Sequence, residues 1–270
     1  MIVAGCDVGS LTAKAVILKD GRLAGSALVA ASSSPESSGR TVLELAAAQA
    51  GVSLEEIACC VGTGYGRKHL PFAQAVESEI ACHGRGAVWQ APEIRTVVDI
   101  GGQDAKAIKV DAEGRVVQYA YNDKCASGTG RFLEIIAEAL DIRLDDLGRI
   151  AARSTETLTL SNQCVVFAET EIISLVNQGR EVPDIVQALH QAVANRAASL
   201  ARSIVVLPPA TMTGGVARNK GMFRALGKAL GVELLRVEHP QINGAIGAAL
   251  FAMEAAASGS ESPPTQAAAG

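Results

Sequence analysis

Two stretches of the sequence carry the same residue types at the same spacing. Residues 7–14 read DVGSLTAK and residues 99–106 read DIGGQDAK, so Asp, Gly, Ala and Lys recur at equal offsets. Glycine lets a backbone approach an anion closely, turn N–H groups point at that anion, and a leading carboxylate holds Mg²⁺ or a metal-bound water. One such stretch alone is typical of an ordinary turn. The matched pair predicts two facing loops that clamp the phosphates of one nucleotide.

A third glycine-rich segment, MTGGVARN at 212–219, follows a short apolar stretch and opens a predicted helix. Its spacing differs from that of the P-loop and from GxGxxG. It is a candidate site for the adenosine and ribose of a nucleotide. A tight strand-to-helix turn is the alternative interpretation.

Cysteines are the candidate metal ligands, and the chain has six: Cys6, Cys59, Cys60, Cys82, Cys125 and Cys164. The sequence enters a strand-like segment directly, without a secretion signal, so we expect reduced thiols rather than a disulfide framework. Cys6 lies in an apolar strand and Cys59 and Cys60 end another. There we expect small buried side chains with no chemistry.

Cys125 and Cys164 differ from these, because each is predicted to lie near the N-terminus of a helix. Residues 122–132 read NDKCASGTGRF, a turn of small residues in which Ser127 and Thr129 are available as helix caps. Cys164 comes just before a second predicted helix. The positive ends of both helix dipoles would favour the thiolate form of these side chains.

Two thiolates cannot complete the usual four-ligand site of a [4Fe–4S] cluster or of a structural zinc ion. Two copies of the chain, related by a twofold axis, would supply four, which predicts a dimer held partly by the cofactor. Spacing alone leaves three alternatives open, because no CxxC pair anchors a metal. They are two buried or half-buried thiols, a zinc site, and the shared cluster.

The elements that must position these residues form two similar series. The first has strands at 2–8, 13–19, 23–30 and 57–62, a Ser/Pro-rich loop at 31–38, and helices at 40–50 and 77–90. The second has strands at 96–100, 105–110 and 116–121, short strands before Gly214 and near 233–236, and helices at about 127–140, 144–152, 166–177, 183–204, 217–230 and 243–257. The series predict two duplicated lobes, 1–94 and 95–242, with the helix at about 243–257 completing the first, and a disordered tail at 258–270.

Composition excludes several classes of function. The chain has 24 Lys and Arg against 28 Asp and Glu, a formal net charge of −4, and only 3% aromatic residues. A basic patch and an aromatic platform for nucleic acid are therefore not expected. No apolar run reaches the length of a membrane span. We expect a cytoplasmic protein with neither nucleic acid nor membrane as a partner.

Eight ordered motifs resemble those of a known family, the activator components of 2-hydroxyacyl-CoA dehydratases, within the wider group that includes the ATPase subunits of benzoyl-CoA reductases. The resemblance covers about residues 1–256. The motifs are GCDVGSLTAKAVIL, TGYGRK at 63–68, SEIACHGRGA at 78–87, VVDIGGQDAKAIKV, NDKCASGTGRFLEIIA, CVVFAETEIISL, MTGGVARNKGM and NGAIGAALFA.

This resemblance implies an α/β protein with the actin-like ATPase fold of acetate kinase, sugar kinases, Hsp70 and actin, with ATP and Mg²⁺ in the cleft between two lobes. It also implies a homodimer with one bridging [4Fe–4S] cluster. Such activators accept an electron from ferredoxin or flavodoxin and, driven by ATP hydrolysis to ADP, pass it to an iron–sulfur dehydratase.

The resemblance also implies roles for individual residues. The residues implied to contact the phosphates are Gly9, Ser10, Leu11, Thr12, Ala13 and Lys14. Those implied to surround the γ-phosphate and Mg²⁺ are Asp7, Asp99, Gly101, Gly102, Gln103 and Asp104. Of these, Asp7 and Asp99 would be the metal ligands. The candidate catalytic residues are Asp99, Gln103 and Asp104, of which Gln103 would position water. The nucleoside contacts are Gly214, Gly215, Asn219 and Asn243, and the cluster ligands are Cys125 and Cys164. Cys82 and His83 are of interest as part of a motif, although a lone helical histidine is more often packed or solvated than catalytic.

Other functions remain open on sequence alone. A small-molecule kinase of the same fold would phosphorylate a hydroxyl or carboxylate, and a nucleotide-binding regulator or filament-forming relative of actin would have incidental cysteines. Within the redox interpretation, the partner could instead be a benzoyl-CoA reductase or a protein with a double-cubane cluster.

Overall fold

The computed structural model describes residues 1–160 and 164–259, which divide into two compact units. Unit 1 comprises Met1–Pro92, Glu113–Arg115 and, of the described residues after Gln241, Ile242 to Gly259. Unit 2 comprises Glu93–Ala112 and Val116–Gln241. The short turn 113–115 therefore belongs to unit 1, whereas the lobe boundaries derived from the sequence place it in the second lobe.

Unit 1 is built on a five-stranded mixed sheet. Its strands are β1 (Ile2–Val8), β2 (Thr12–Lys19), β3 (Arg22–Ala30), β4 (Cys59–Thr63) and β5 (Ala75–Val76), in the order β3-β2-β1-β4-β5. Helices α1 (Pro35–Ala50) and α2 (Glu79–Gln90) and the C-terminal helix Asn243–Ser258 complete the unit. Successive residues of a strand point to opposite faces of the sheet. Accordingly, Val3 packs in an apolar cluster with the C-terminal helix and Ala4 in one with α1.

Unit 2 repeats this plan with more helices. Strands β6 (Thr96–Ile100), β7 (Ala105–Val110), β8 (Val116–Asn122), β9 (Ala210–Thr213) and β10 (Leu234–Leu235) form a sheet in the order β10-β9-β6-β7-β8. The helices are α3 (Gly130–Ala139), α4 (Leu147–Ala151), α5 (Val165–Asn177), α6 (Val182–Arg202) and α7 (Lys220–Leu230), so the C-terminal helix of unit 1 is α8. One apolar cluster joins β6 and β7 to these helices.

The two units share strand register as well as strand order. In the antiparallel hairpin of unit 1, Asp7 pairs with Lys14, and in that of unit 2, Asp99 pairs with Lys106. Strands β4 and β9 lie parallel to β1 and β6, with Thr63 beside Asp7 and Thr213 beside Asp99. The predicted duplication is therefore present in the backbone and extends to a third strand of each unit.

Helix α1 begins five residues earlier than predicted. The Ser/Pro-rich segment assigned to a loop at 31–38 contains its start, because Ser34 is the N-cap, its hydroxyl accepting a hydrogen bond from Ser37 N–H at 3.2 Å, and Pro35 is the first helical residue. Proline suits that position, where no backbone N–H is needed. The loop prediction is therefore correct for residues 31–34 and wrong for residues 35–38, which form the first turn of α1.

Other helix boundaries also differ from the predictions. The helix predicted from 127 begins at Gly130, because residues 126–129 form a turn in which Gly128 has a φ of +89°. The helix predicted from 217 is preceded by a 3-10 turn, Gly215–Arg218, and begins at Lys220. The first residue of the predicted tail, Ser258, still belongs to α8. Residues 260–270 of that tail lie outside the described residues.

Three further 3-10 turns occur in the described chain, at Leu54–Glu56, Arg67–His69 and Leu144–Asp146. Among residues 1–160 and 164–259, no helix is both long enough and apolar enough to cross a membrane.

Candidate nucleotide and metal site

The hairpin of unit 1 buries a carboxylate beside a lysine. Asp7, at the end of β1, is 3% exposed, and Lys14 Nζ donates to its Oδ2 at 3.3 Å. The turn is closed by a hydrogen bond from Gly9 N–H to the Thr12 carbonyl at 3.0 Å. Among the described residues, no donor reaches Asp7 Oδ1, although this oxygen is buried. A buried carboxylate oxygen is normally satisfied, so Oδ1 fits a Mg²⁺ ion or a metal-bound water.

Gly64 packs against this carboxylate, a role that its TGYGRK motif did not predict. Gly64 has a φ of +84°, and a Cβ placed there would lie 2.4 Å from Asp7 Oδ1. Only glycine suits both the backbone conformation and the space. Its counterpart in unit 2 is Gly214, with a φ of +86° and an equivalent Cβ position 3.0 Å from Asp99 Oδ1. The Thr-Gly pairs 63–64 and 213–214, each closing a short buried strand, are the sequence signal that could have identified both positions.

The hairpin of unit 2 holds a denser charge cluster. Lys106 Nζ donates to Asp99 Oδ2 at 3.3 Å and to Asp104 Oδ2 at 2.6 Å, with the lysine side chain only 1% exposed. The Tyr121 hydroxyl donates to Asp104 Oδ2 at 3.3 Å, and the Thr213 hydroxyl donates to Asp99 Oδ1 at 2.7 Å. Both candidate catalytic carboxylates are therefore held by protein donors, in contrast to Asp7 Oδ1.

The turn of this second hairpin is tied to the start of α3. Gly130 N–H donates to the Gly101 carbonyl and Arg131 N–H to the Gly102 carbonyl, both at 2.8 Å. Gly101 also leaves room for a carboxylate, because a Cβ there would lie 2.2 Å from Asp104 Oδ1. Gln103, between Gly101 and Asp104, is exposed.

The remaining residues of the first loop are only partly accessible. Gly9, Ser10, Leu11, Thr12 and Lys14 are half-buried around the turn. Ala13 is fully buried, and its methyl group packs in the core beneath α1. Any contact of Ala13 with a phosphate would have to come from its backbone.

Asn219, a predicted nucleoside contact, caps helix α7. Its Oδ1 accepts hydrogen bonds from Gly221 N–H at 2.9 Å and Met222 N–H at 3.2 Å. Its Nδ2 lies 3.0 Å from Nε2 of His190. Both ends of this amide are thus occupied by the protein, which gives the residue a structural role. Gly214 and Gly215 begin the 3-10 turn that leads to it.

Asn243, the fourth predicted nucleoside contact, belongs to unit 1 and is fully buried. Its Nδ2 donates to the His83 carbonyl at 2.9 Å and lies 3.3 Å from His83 Nδ1, and its Oδ1 accepts from Gln90 Nε2 at 2.9 Å. The other three predicted contacts belong to unit 2. The amide of Asn243 is engaged with α2, so it also has a structural role.

His190 gives unit 2 a pH-dependent stability. Burial, with a smaller contribution from Arg224, lowers the pKa of this fully buried ring from 6.5 to about 4. Between these values the unfolded chain binds a proton that the folded chain does not, so the free energy of unfolding rises with pH across this window, by up to ~3 kcal/mol. Urea unfolding at pH 4.5 and 6.5 should show this rise, and His190→Gln should lose most of it. An unchanged rise in the variant would assign the pH dependence to other groups.

The six cysteines fall into two classes. Cys6, Cys59, Cys60 and Cys82 are buried, and burial raises the pKa of each thiol, to about 12 for Cys60. They are held as neutral thiols, which confirms the expectation that Cys6, Cys59 and Cys60 are buried. Cys125 and Cys164 are partly exposed.

The two partly exposed cysteines both lie in unit 2, before helices. Cys164 is the N-cap residue of α5, and its carbonyl accepts a hydrogen bond from Ala168 N–H at 3.1 Å. Cys125 lies in the irregular segment between β8 and the turn that precedes α3, with its carbonyl accepting from Asn122 Nδ2 at 2.9 Å. Thr129 does occupy the N-cap position of α3, but its hydroxyl donates to the Ala126 carbonyl instead of capping the helix. Its predicted side-chain cap is therefore wrong.

The model of the BadF/BadG/BcrA/BcrD ATPase family matches residues 4–252. The chain belongs to this ATPase family. It is 43% identical over 256 residues to the activator of lactoyl-CoA dehydratase from Anaerotignum propionicum, covering 95% of this chain and 99% of that protein. The structure of the activator of the 2-hydroxyisocaproyl-CoA dehydratase from Clostridium difficile with bound ADPNP matches with a TM-score of 0.92 and 39% identity, over 99% of this chain and 100% of that one.

A glucokinase of the ROK family from Streptomyces griseus matches with a TM-score of 0.60 at 14% identity, over 94% of this chain and 100% of that one. At this identity the similarity shows a shared fold alone. The predicted α/β, actin-like ATPase fold is confirmed, as is the resemblance to dehydratase activators.

Within this member of the ATPase family, the helix that follows Cys164 exposes apolar side chains. On α5, Val166, Phe167, Ile173 and Val176 are all exposed, with Phe167 69% accessible. Exposed apolar residues grouped on one element mark surfaces that contact other proteins. The surface of α5 next to Cys164 is therefore suited to a protein contact.

Proposed function

We propose that this protein is an ATP-dependent electron-transfer activator. It would work as a homodimer with one bridging [4Fe–4S] cluster, receive an electron from ferredoxin or flavodoxin, and pass it to an iron–sulfur enzyme of the 2-hydroxyacyl-CoA dehydratase type. One combination of features carries the proposal. This chain of the ATPase family has two matching Asp–Lys hairpins, and two of its six cysteines are partly exposed while the other four are buried.

The ATPase part of the proposal is supported by the chemistry of the two hairpins. Mg²⁺ bound to ATP phosphates would supply positive charge at the oxygens where negative charge develops during hydrolysis. Asp7 offers a buried oxygen that has no partner in the described part of the chain, which suits a magnesium-bound water. We assign Lys14, which contacts Asp7, to donate to a phosphate oxygen, and the exposed Gln103 to orient water. Asp99 and Asp104 already hold Lys106, so we assign them to electrostatic support rather than to proton abstraction.

The cluster part is supported by the donor set. Cys125 and Cys164 are the only partly exposed thiols among the six cysteines, and two copies of the chain give the four thiolates that a [4Fe–4S] cluster takes. The N-terminus of α5 at Cys164 favours negative charge. The exposed apolar residues of α5 would gain partners in a dimer.

Unit 2 contains a direct connection between the phosphate hairpin and the cysteine segment. The carbonyls of Gly101 and Gly102 accept the first N–H groups of α3, and Cys125 lies in the irregular segment before this helix. A change in the hairpin on ATP binding or hydrolysis would move the start of α3 and with it the environment of Cys125. The surroundings of a cluster set its potential, which gives hydrolysis a physical route to electron transfer.

Alternatives differ in their products. A small-molecule kinase would transfer phosphate to a hydroxyl or carboxylate acceptor, whereas the proposed activator releases inorganic phosphate without an added acceptor. Two further alternatives are a subunit of a benzoyl-CoA reductase and a reductase of a double-cubane protein. Both would also couple ATP hydrolysis to electron transfer, and they would differ from the proposed activator only in the electron acceptor. Reduction assays with each purified acceptor separate these partners.

Hydrolysis itself is tested by Asp7→Asn. We expect this substitution to lower Mg²⁺-dependent phosphate release at least about 100-fold, because a neutral amide oxygen binds a metal-bound water far more weakly than a carboxylate does. Asp20→Asn is the matched control, since Asp20 lies in the exposed turn between β2 and β3. Equal rates of phosphate release in Asp7→Asn and the unmodified protein would remove Asp7 from the site.

A further inference from the structure

We propose that the exposed surface of helices α6 and α7 docks an acidic protein, the electron donor of the proposed function. The inference rests on that electron-transfer function and adds to it the place where the donor binds. Five cationic residues form this basic surface: Arg196, Arg202, Lys220, Arg224 and Lys228. All five belong to unit 2.

The exposed side chains of α6 and α7 are basic or neutral. Residues 185–232, which include most of α6 and the whole of α7, contain no Asp or Glu, although the chain has 28 of them and a formal net charge of −4. The exposed residues of α7 are Lys220, Arg224 and Lys228. Those of α6 are Asn195, Arg196, Ser199 and Arg202. Positive charge is therefore concentrated on one pair of helices in an acidic protein.

The cations of the two helices lie side by side because α7 packs on α6. The Arg202 guanidinium donates to the Ala229 carbonyl, and Asn219, the N-cap of α7, contacts His190 of α6. Arg224 acts across the same contact, since it adds to the effect of burial in lowering the pKa of His190. Composition did not predict a basic patch, because these cations are far apart in sequence and come together only through this packing.

The spacing of the cations on α7 works against the helix. They are four residues apart, so each lies one turn from the next, and like charges at that spacing destabilise a helix. Helix α1 shows the favourable arrangement, in which the exposed residues Glu36, Arg40 and Glu44 alternate in sign at the same interval. Packing of the core does not require exposed lysine or arginine on α7. A negatively charged partner would offset the repulsion between them.

Other cations of unit 2 have carboxylate partners, unlike those of the basic surface. A guanidinium nitrogen of Arg131, of Arg149 and of Arg180 lies 3.1 Å from a carboxylate oxygen in each case. Within residues 1–160 and 164–259, no ion pair joins the basic surface to a carboxylate. Its charge is therefore available to a partner.

A polar groove beside Lys228 can accept an acidic side chain. Its volume is about 170 Å³. The hydroxyl and amide side chains that line it with Lys228 are those of Ser154, Thr155, Thr157, Gln187 and Gln191. Glu156, also in the lining, is paired with Arg180. A carboxylate in this groove would lie among hydroxyl and amide groups and one ammonium group, which suits a charge-assisted hydrogen bond.

One edge of the basic surface reaches the segment that contains Cys125. Gly128 lies against Arg196, because a Cβ at Gly128 would be 2.7 Å from Arg196 Cγ. Gly128 follows Cys125 by three residues. A donor on the basic surface would therefore be next to a segment that carries a proposed cluster ligand.

The chemistry of the surface favours a protein partner over a nucleic acid. The exposed residues of α6 and α7, two helices that the structure describes in full, include no aromatic ring that could stack on a base. Transient contacts between redox proteins are small, and complementary charge steers their association. An acidic electron-transfer protein fits both properties.

The test is the rate at which a reduced ferredoxin of negative net charge reduces the anaerobically purified, cluster-loaded protein, followed by stopped-flow absorbance at low and high salt. We expect Arg224→Glu combined with Lys228→Glu to lower the second-order rate constant at low salt at least about tenfold. The rate should also lose most of its dependence on salt. Lys19→Glu combined with Arg22→Glu is the matched control, because it reverses two exposed cations of unit 1 and changes the net charge equally. Its rate should stay close to that of the unmodified protein.

Reduction by the methyl viologen radical, a small cation, checks the cluster itself. This rate should not fall in the Arg224→Glu, Lys228→Glu variant, because a small cation needs no basic surface for its approach. Phosphate release without a donor should also be unchanged, since neither residue belongs to the phosphate hairpins.

Failure of this inference and failure of the proposed function give different results. If the unmodified protein holds no cluster that viologen reduces, the electron-transfer function fails and the docking surface fails with it. If ferredoxin reduces the unmodified protein, an equal rate and salt dependence in the double variant overturns the docking surface alone. A cluster that viologen reduces and ferredoxin and flavodoxin do not would also overturn it, as would binding of duplex DNA or RNA that the double variant loses.

Discussion

Purified without oxygen, the Cys164→Ser variant is expected to contain no [4Fe–4S] cluster while retaining the ability to bind ATP. Loss of one ligand per chain removes two of the four thiolates in a bridging site, and a serine hydroxyl is a poor substitute for thiolate at iron. Cys164 is the N-cap of α5, a position where serine is favourable, so the fold should tolerate the change. Iron analysis and the visible absorbance of the cluster measure the loss, and equilibrium binding measures ATP.

The matched controls are a second ligand variant and a buried cysteine. Cys125→Ser should lose the cluster in the same way, although Cys125 lies in an irregular segment rather than at a helix start. Cys59→Ala should keep it, because Cys59 is buried in β4 and its pKa is raised by burial. Full iron content in either ligand variant would contradict the assignment of that cysteine.

Lys106→Met is expected to destabilise the protein by about 3–5 kcal/mol, the usual cost of removing one partner from a buried ion pair. The ammonium group of Lys106 is the shared partner of Asp99 and Asp104, and the lysine side chain is only 1% exposed. Methionine has a similar length and fills the space but removes the ammonium group that both buried carboxylates contact. Urea unfolding of the variant, compared with the unmodified protein, measures the change in free energy of unfolding.

The equivalent lysine of the other hairpin is the control. Within residues 1–160 and 164–259, Lys14 has one ion pair, with Asp7 at 3.3 Å, and it is more exposed than Lys106, so Lys14→Met should cost only about 1–2 kcal/mol. Adding Asp104→Asn to Lys106→Met should recover part of the loss, because it removes one of the two carboxylate charges. If Lys14→Met and Lys106→Met lower the free energy of unfolding equally, the two contacts of Lys106 do not stabilise the protein more than the one contact of Lys14.

Local patterns in the sequence were sufficient to predict the duplicated hairpins. The conformation of a strand or of a turn is set largely by residues that are adjacent in sequence. The spacing from Asp7 to Lys14 equals that from Asp99 to Lys106, and accordingly both pairs occupy the same register in their sheets. The start of α1 at Pro35 was missed because Ser and Pro favour both loops and helix starts, and only the Ser34 cap decides between them.

The parts of the site that were not predicted depend on contacts between distant segments. Gly64 is 57 residues from Asp7 in sequence, and its role becomes visible only when β4 lies beside β1. The amide of Asn243 is used by His83 and Gln90, more than 150 residues earlier. The different burial of Lys14 and Lys106 likewise follows from the surroundings of each hairpin rather than from the shared motif.

The decisive measurement for electron transfer is the iron and acid-labile sulfide content per chain of anaerobically purified protein, together with its mass in solution. The proposed activator should contain about four irons and four sulfides per dimer, and chelation of the iron should weaken the dimer while ATP binding persists. A monomer without iron after anaerobic reconstitution, or a dimer that contains zinc, would contradict the electron-transfer function. The ATPase site would then have to be explained by a kinase or a nucleotide-binding regulator.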